Sequence, residues 1–286
     1  MPGIELGQAW QVLFASRRIG WIYGIEQLWA TRDGGRHWQL KQPGMGVLAM
    51  AVAGPRVLAE LTPDRGSKQP GGLYSSAVSH SSWSLVPRVS GPFAVLASYR
   101  DTAWFATVTN PIGGKTLIWT STAGGRWHRQ PFACPGRDYT LSSIAAASRS
   151  YIAYLCTDTA DFDMTAEGMK VLVSTNGGRT AHLVGHWVLT ISGSGGVLAM
   201  APGNTRMITF ATPPTAIGTF GRSVDGGRTW HVIRPFSTGT WNSLSYVSRT
   251  TGYIVADLPN GPLDGLLLRS TNAGRTWQGV RLPAAR

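Results

Sequence analysis

Short apolar runs, bounded by glycine, proline, asparagine or aspartate, follow one another along the whole chain. They are rich in valine, isoleucine, leucine, threonine and aromatic residues, a composition typical of β-strands. No segment keeps a helical apolar period over about ten residues or more, so we expect very little helix. The clearest strands are predicted at Val197–Ala201, Arg206–Ala211, Gly218–Val224, Trp230–Arg234, Asn242–Val247, Gly252–Ala256, Leu266–Thr271 and Trp277–Leu282.

An eight-residue pattern recurs along the chain, which predicts a repeat protein. Its copies begin at positions 31, 76, 121, 174, 223 and 270, so six units of about 48 residues fill the chain. The copies at 31–38, 223–230 and 270–277 are the most complete. In the copy at 174–181, Ala181 stands where tryptophan is expected. The copy at 121–127 is one residue short, and the copy at 76–83 keeps only its first and last positions.

Each unit holds four short strands and is too small to bury a core alone, which is typical of a β-propeller blade. We therefore predict an all-β, six-bladed β-propeller with four antiparallel strands per blade and the repeated pattern between the third and fourth strands. The chain is expected to form one domain over residues 1–286, with blades at about 9–41, 46–90, 92–132, 139–186, 195–236 and 241–284.

Each position of the repeated pattern has a structural role in a tight hairpin. The glycines allow a positive φ, and Asp or Asn accepts hydrogen bonds from N–H groups of its own turn. The leading Ser or Thr adds a local bond, and the closing Trp offers a large apolar face to the blade. The predicted structural residues are Thr31, Asp33, Gly35, Trp38, Ser121, Gly125, Trp127, Ser174, Asn176, Gly178, Ser223, Asp225, Gly227, Trp230, Ser270, Asn272, Gly274 and Trp277.

The pattern S/T-x-D-x-G-x-x-W resembles the Asp-box, or BNR repeat. This repeat marks the blades of sialidases, of photosystem II assembly-factor-like propellers and of sortilin-type receptors. The resemblance covers the whole chain through its repeats, and it implies a propeller whose boxes lie at the blade periphery. It does not by itself imply an activity, because the same box occurs in enzymes and in binding proteins.

The charge balance indicates an acidic partner. The 286 residues carry 26 Lys and Arg against 14 Asp and Glu, a net charge of +12. A basic protein of this kind is attracted to acidic proteins and to anionic polymers of the cell envelope. Five arginines occupy one slot of the repeat and would form a ring, unlike the stripe typical of a nucleic-acid binder, so nucleic acid is not the expected partner. These residues are Arg36, Arg126, Arg179, Arg228 and Arg275.

Two cysteines and the absence of an apolar span bear on location. Cys134 and Cys156 are compatible with one disulfide in an oxidising compartment or with two buried thiols, and we predict the disulfide. No segment is apolar enough to span a membrane. We expect a monomeric extracytoplasmic protein whose export signal or anchor lies outside these residues.

Catalytic signals are weak in this sequence. A sialidase-like reaction needs three arginines, a Tyr–Glu nucleophile and a carboxylic acid, and the Arg-Ile-Pro element of those enzymes is matched only by Arg18-Ile19-Gly20. The four glutamates Glu5, Glu26, Glu60 and Glu167 suggest no acid–base pair, and no metal motif is found. Whether the chain is an enzyme stays open at this point. A non-catalytic module that binds a protein or an anionic glycan is favoured over a diverged sialidase-like or other glycoside hydrolase.

The ligand is expected on the loops opposite the repeated pattern, because those loops vary in length and are rich in Pro and Gly. The loop 158–167 carries Asp158, Asp161, Asp163 and Glu167. It is interpreted as a solvated or partner-facing loop, with calcium binding as the alternative, although its spacing differs from known calcium loops. Trp187 and Trp241 are the aromatic candidates for this face. No cofactor or metal is expected otherwise.

Overall fold

The computed structural model describes residues 11–25, 27–41, 45–63, 70–79, 82–86, 94–108, 116–132, 134–136, 139–158, 167–189, 196–211, 220–233, 240–257 and 266–280. All regular elements in these ranges are strands, and they form six antiparallel sheets of four consecutive strands each. No helix in these ranges is long and apolar enough to cross a membrane.

The first three sheets hold the strands β1 Gln11–Phe14, β2 Gly20–Tyr23, β3 Leu28–Thr31 and β4 Gln39–Lys41; β5 Met45–Ala53, β6 Arg56–Pro63, β7 Gly72–Ala77 and β8 Ser84–Leu85; and β9 Ala94–Tyr99, β10 Thr102–Val108, β11 Thr116–Thr122 and β12 His128–Gln130. The last three hold β13 Tyr139–Ala146, β14 Ile152–Asp158, β15 Glu167–Ser174 and β16 His182–Leu189; β17 Val197–Met200, β18 Ile208–Ala211, β19 Phe220–Ser223 and β20 His231–Ile233; and β21 Thr240–Tyr246, β22 Gly252–Asp257, β23 Leu266–Ser270 and β24 Gln278–Val280. We number the sheets as blades 1 to 6 in this order.

The six sheets close into a ring. The first strand of each blade contacts the first strand of the next, and β21 of blade 6 contacts β1 of blade 1. The six first strands therefore surround a central channel, and the prediction of a six-bladed, all-β propeller is confirmed. Three of these strands carry a register shift, at Val47/Ala49, Leu141/Ser143 and Trp241/Ser243, so the bulges fall in every second blade.

The strands consist of apolar runs, not of alternating apolar and polar residues, because both faces of each blade are buried. A blade is covered on both faces by its neighbours, so both sets of side chains along a strand are buried. In β14 every residue from Ile152 to Thr157 is buried, and only Asp158 at its end is partly exposed. The outer strands contact solvent, and His128 and Arg129 in β12 are exposed accordingly.

Candidate functional site

The repeated pattern forms the turn between the third and fourth strands of its blade, which we call the box turn. In blade 5 the Ser223 hydroxyl accepts the Gly227 N–H at 2.8 Å and donates to Asp225 Oδ1 at 2.8 Å. Asp225 Oδ1 in turn accepts the Thr229 N–H at 2.9 Å. The same bonds recur around Thr31, Ser174 and Ser270, with Asn in place of Asp in blades 4 and 6. The polar side chains of these turns are thus used to hold the turn itself.

Glycine and tryptophan complete the intact box turns. Gly227 has a φ of 94°, and a Cβ at this position would lie 2.7 Å from Val184 Cγ2 of blade 4. Two constraints therefore select glycine, the left-handed backbone and the close approach of the neighbouring blade. Trp38 and Trp230 donate their indole N–H to Gly35 O and Gly227 O at 3.0 and 2.8 Å.

The two box aspartates are held in the ionised form. Asp33 is hydrogen-bonded to the backbone N–H and to the ring of His37. Asp225 is hydrogen-bonded to the hydroxyl and to the backbone N–H of Thr229. These contacts hold the pKa of each carboxyl far below its usual range. A carboxylate of this kind caps a turn and is poorly suited to donate a proton.

The box turns of blades 3 and 4 depart from this arrangement, and the copy at 76–83 in blade 2 is described only in part. In the shortened turn of blade 3, Gly125 O accepts the Ser121 hydroxyl at 2.9 Å, whereas the equivalent carbonyls in blades 1 and 5 accept an indole N–H. In blade 4 the closing residue is Ala181, and Phe132 from the segment after β12 stacks on Tyr154 with ring centroids 4.4 Å apart.

The box turns share one face of the ring with the turns that join the first and second strands of each blade. Backbone bonds connect the two sets, for example from Gly226 N to Arg206 O at 2.8 Å and from Gly177 N to Ser150 O at 2.9 Å. We call the surface formed by both sets of turns the box face. It is completely described for the first-to-second-strand turns of all six blades.

The box face is strongly basic. The box turns contribute six exposed arginines, Arg32, Arg36, Arg126, Arg179, Arg228 and Arg275. The first-to-second-strand turns contribute seven more exposed arginines, Arg17, Arg18, Arg56, Arg100, Arg149, Arg206 and Arg249. The arginines inside the repeat were predicted from the sequence, but the second set was not. Three turns of the second set carry a Ser-Arg pair, Ser16-Arg17, Ser148-Arg149 and Ser248-Arg249, in which the serine hydroxyl accepts N–H groups of its own turn.

Few acidic groups oppose these arginines. The described box face contains Asp33, Asp101 and Asp225, and each is already bound within the protein. Both carboxylate oxygens of Asp101 accept hydrogen bonds from Arg149 Nη2, at 2.6 and 2.8 Å. This contact lowers the pKa of Asp101. Among the described residues, most of the thirteen guanidinium groups therefore have no acidic counterpart on this face.

The central channel encloses about 680 Å³. Its described lining is made mostly of apolar residues, with serines, tyrosines, Gln11 and two arginines, Arg100 and Arg249, at the box-face end. Among the described residues, no carboxylate, histidine, lysine or cysteine lines the channel. The arginine and hydroxyl groups that do line it can bind an anion.

One carboxyl group is buried elsewhere in the ring. Glu60 in β6 is 4% exposed, pairs in register with Ala49 and Leu73, and has no hydrogen-bond partner for Oε2 among the described residues. Burial raises its pKa to about 8. Glu60 is not among the described residues that line the channel.

The residues predicted for the opposite face are described only in part. Asp158 ends β14, while Asp161 and Asp163 lie outside the described residues, as does most of the loop considered for calcium. Glu167 begins β15, and Trp241 is the second residue of β21. Trp187, the other aromatic candidate, lies beyond the predicted end of blade 4 at about 186, but β16 continues to Leu189 and pairs Trp187 with Met169. The described residues contain no group of three side chains suited to a metal ion.

Blade 4 contains the disulfide. Cys134 Sγ and Cys156 Sγ are 1.98 Å apart, and both residues are buried. Beside it, the Lys170 ammonium lies 3.6 Å from the centre of the Tyr139 ring and donates to Pro135 O at 3.2 Å. These contacts fasten the segment before β13 to the blade.

Neither a protein-family model nor a curated protein sequence matches the chain. Solved structures do resemble it. A fungal lectin from Aleuria aurantia with a six-bladed β-propeller fold matches with a TM-score of 0.67 and 10% identity, over 98% of this chain and 97% of the lectin. YCF48 bound to a D1 peptide matches with a TM-score of 0.54 and 15% identity, over 98% and 82%. The microbial sialidase Hz136 matches with a TM-score of 0.56 and 17% identity, over 88% and 64%. At these identities the similarities show a shared propeller fold.

Proposed function

We propose that the protein is a non-catalytic binding module that engages an acidic protein or an anionic glycan through the box face. The observation that carries this proposal is the presence of thirteen exposed arginines on one face, against three aspartates that are already bound. Arginine is the side chain best suited to carboxylate, sulfate and phosphate groups, because its planar guanidinium makes paired hydrogen bonds. The loops of the opposite face remain a predicted second surface.

Three further observations support a binding role. The described channel lining lacks carboxylates, which favours binding over a diverged glycoside hydrolase. The similar propeller YCF48 holds a D1 peptide, and the similar fungal lectin recognises fucose, so this fold accommodates both classes of partner. The disulfide of blade 4 is typical of proteins from oxidising compartments, which supports an extracytoplasmic location. We treat the module as a monomer.

The test is binding to two simple polyanions, poly-glutamate and heparin, measured by biolayer interferometry at increasing salt. We expect both to bind, with affinity falling steadily as salt rises, because exposed charges are screened. The double variant Arg228→Gln and Arg275→Gln should bind about fivefold more weakly, since each exposed charge pair contributes only a fraction of a kcal/mol to about 1 kcal/mol.

The matched control removes the same amount of charge away from the box face. Lys41 ends β4 away from the box turn, so Lys41→Gln should leave the affinity nearly unchanged, whereas Arg228→Gln and Arg275→Gln alone should each weaken binding about twofold. Absence of binding at low salt, or losses in the single arginine variants no larger than in Lys41→Gln, would overturn the proposal.

A further inference from the structure

Two cavities flank blade 3 at the outer ends of its joints with blades 2 and 4. The first encloses about 820 Å³ between blades 2 and 3, and the second about 450 Å³ between blades 3 and 4. Both adjoin altered box turns, because residues 121–127 border the first and Ala181 borders the second. In the intact turn of blade 5, Trp230 packs on Phe210 with ring centroids 5.3 Å apart and helps to fill the equivalent joint.

The larger cavity, which we call the blade 2–3 groove, combines aromatic and basic side chains. Its lining includes Trp119 and Trp127, both partly exposed, and the exposed arginines Arg56, Arg126 and Arg129. Phe105 anchors the two indoles from the core, with ring centroids 5.9 Å from Trp119 and 6.4 Å from Trp127. Rigid aromatic surfaces beside a few charged groups are characteristic of small-ligand sites, and the volume lies in their usual range of roughly 300–1,000 Å³.

The charges in the groove are arranged for an anion. Arg56 Nε donates to Ser75 Oγ at 3.1 Å, which holds this guanidinium at the groove wall. A Cβ at Gly124 would lie 3.2 Å from Arg56 Cδ, so the glycine of the shortened turn makes room for the arginine. The carboxylate in the described lining, Asp101, is occupied by Arg149. Arg126 and Arg129 are therefore not neutralised from within the groove.

We infer that the blade 2–3 groove binds a carboxylated sugar residue of an acidic glycan. Such a ligand presents a carboxylate that a guanidinium can bind with two hydrogen bonds, and a ring whose C–H groups can pack on an indole. Its hydroxyl groups can bond the exposed Ser84, which also lines the groove. An acidic peptide would use the arginines equally well, but a polyglutamate chain would leave the indole surfaces without a matching apolar ring. This inference rests on the proposed function, because Arg56 and Arg126 belong to the box face.

The test is calorimetric titration with tri-galacturonate, with neutral maltotriose and tri-glutamate as comparison ligands. We expect tri-galacturonate to bind one site per protein and to change the tryptophan fluorescence, whereas maltotriose and tri-glutamate should bind at least about tenfold more weakly. Arg126→Gln should weaken tri-galacturonate binding by about tenfold or more, since it removes a charged hydrogen-bond donor. Arg275→Gln is the matched control for the loss of one box-face charge, because Arg275 fills the same slot of the box turn in blade 6, outside the groove, and it should weaken tri-galacturonate binding by no more than about twofold.

Trp119→Ala adds a test of the aromatic contribution, and Trp127→Phe preserves an aromatic ring if the alanine variant does not fold. The alanine variant should lose binding and the phenylalanine variant should retain most of it. Equal binding of tri-glutamate, or equal losses in Arg126→Gln and Arg275→Gln, would show general attraction of anions to the box face and would overturn the groove proposal alone. If the wild-type protein also fails to bind poly-glutamate and heparin, the proposed function is overturned as well.

Discussion

Ser243 of the last blade accepts a hydrogen bond from the Val12 N–H of the first blade at 3.0 Å, although the two residues are 231 positions apart. Phe14 stacks on Tyr253 across the same joint, with ring centroids 3.8 Å apart. The bond is repeated inside the ring, where Ser143 of blade 4 accepts the Leu198 N–H of blade 5 at 2.9 Å. The joint that closes the ring is therefore built like an internal one.

Replacing Ser243 by alanine should destabilise the protein by about 1–3 kcal/mol, because the buried Val12 N–H loses its acceptor. Urea unfolding followed by tryptophan fluorescence measures this loss. Ser143→Ala should cost a similar amount, since it removes the equivalent bond to Leu198. Ser245→Ala is the control, because Ser245 lies in the same strand and lines the channel. If Ser243→Ala were no more harmful than Ser245→Ala, the closing bond would not stabilise the ring.

The box turns should differ in how much they depend on their first residue. Ser223→Ala removes the acceptor of the buried Gly227 N–H, so we expect a loss of about 1–3 kcal/mol. Ser121→Ala removes only a donor to Gly125 O and should cost about 1 kcal/mol or less. Thermal unfolding of both variants measures the difference. A larger loss for Ser121→Ala would mean that the shortened turn is not the weaker one.

Glu60 should make stability depend on pH. Its pKa rises from 4.5 to about 8 on folding, so between these values the folded protein binds more protons than the unfolded chain. Stability should therefore fall as pH rises from about 5 to about 8, by an amount on the order of 4 kcal/mol at most. Glu60→Gln should remove most of this slope in urea unfolding measured at pH 5, 6, 7 and 8. A wild-type stability that rises over this interval, or an unchanged slope in the variant, would contradict the assignment.

The disulfide should contribute measurably to stability. It closes a chain segment between residues 22 positions apart, and replacing Cys134 and Cys156 together by serine should cost about 3 kcal/mol. Unfolding with and without a reducing agent measures the effect. The reductant should destabilise the wild type and leave the double variant unchanged. A reductant effect of equal size in the variant would place its origin elsewhere.

Local rules explain why the fold could be predicted from the sequence. The glycines and the Asp or Asn of the box turns in blades 1, 4, 5 and 6 act through bonds within five consecutive residues, so their spacing alone marks four of the six hairpins. The strands between them follow from β-branched and aromatic residues that pack on both faces of a blade. The extent of β16 was misjudged at Trp187, because periodicity does not show how far an outer strand stays paired.

The candidate sites depend on relations between distant residues, which a single sequence does not display. Arg56 and Gly124 meet only because blades 2 and 3 are neighbours, and the two sets of arginines share a face only because both kinds of turn lie at the same end of the strands. Local signals were nonetheless present. The missing residue in 121–127 and the alanine at 181 lie at two joints that contain cavities, and the repeated Ser-Arg pair marks three arginines of the second set.

Among the residues that the structure describes, every sheet of the ring is made from four strands that are consecutive in the chain, and β1 contacts β21 of the last blade. The order in which the blades are synthesised is therefore physically arbitrary. A circularly permuted gene that joined the two ends and began at any inter-blade segment would still encode six self-contained sheets with the same neighbours. Such rearrangement, or the duplication of one blade, offers this architecture a simple route to new combinations of surface turns.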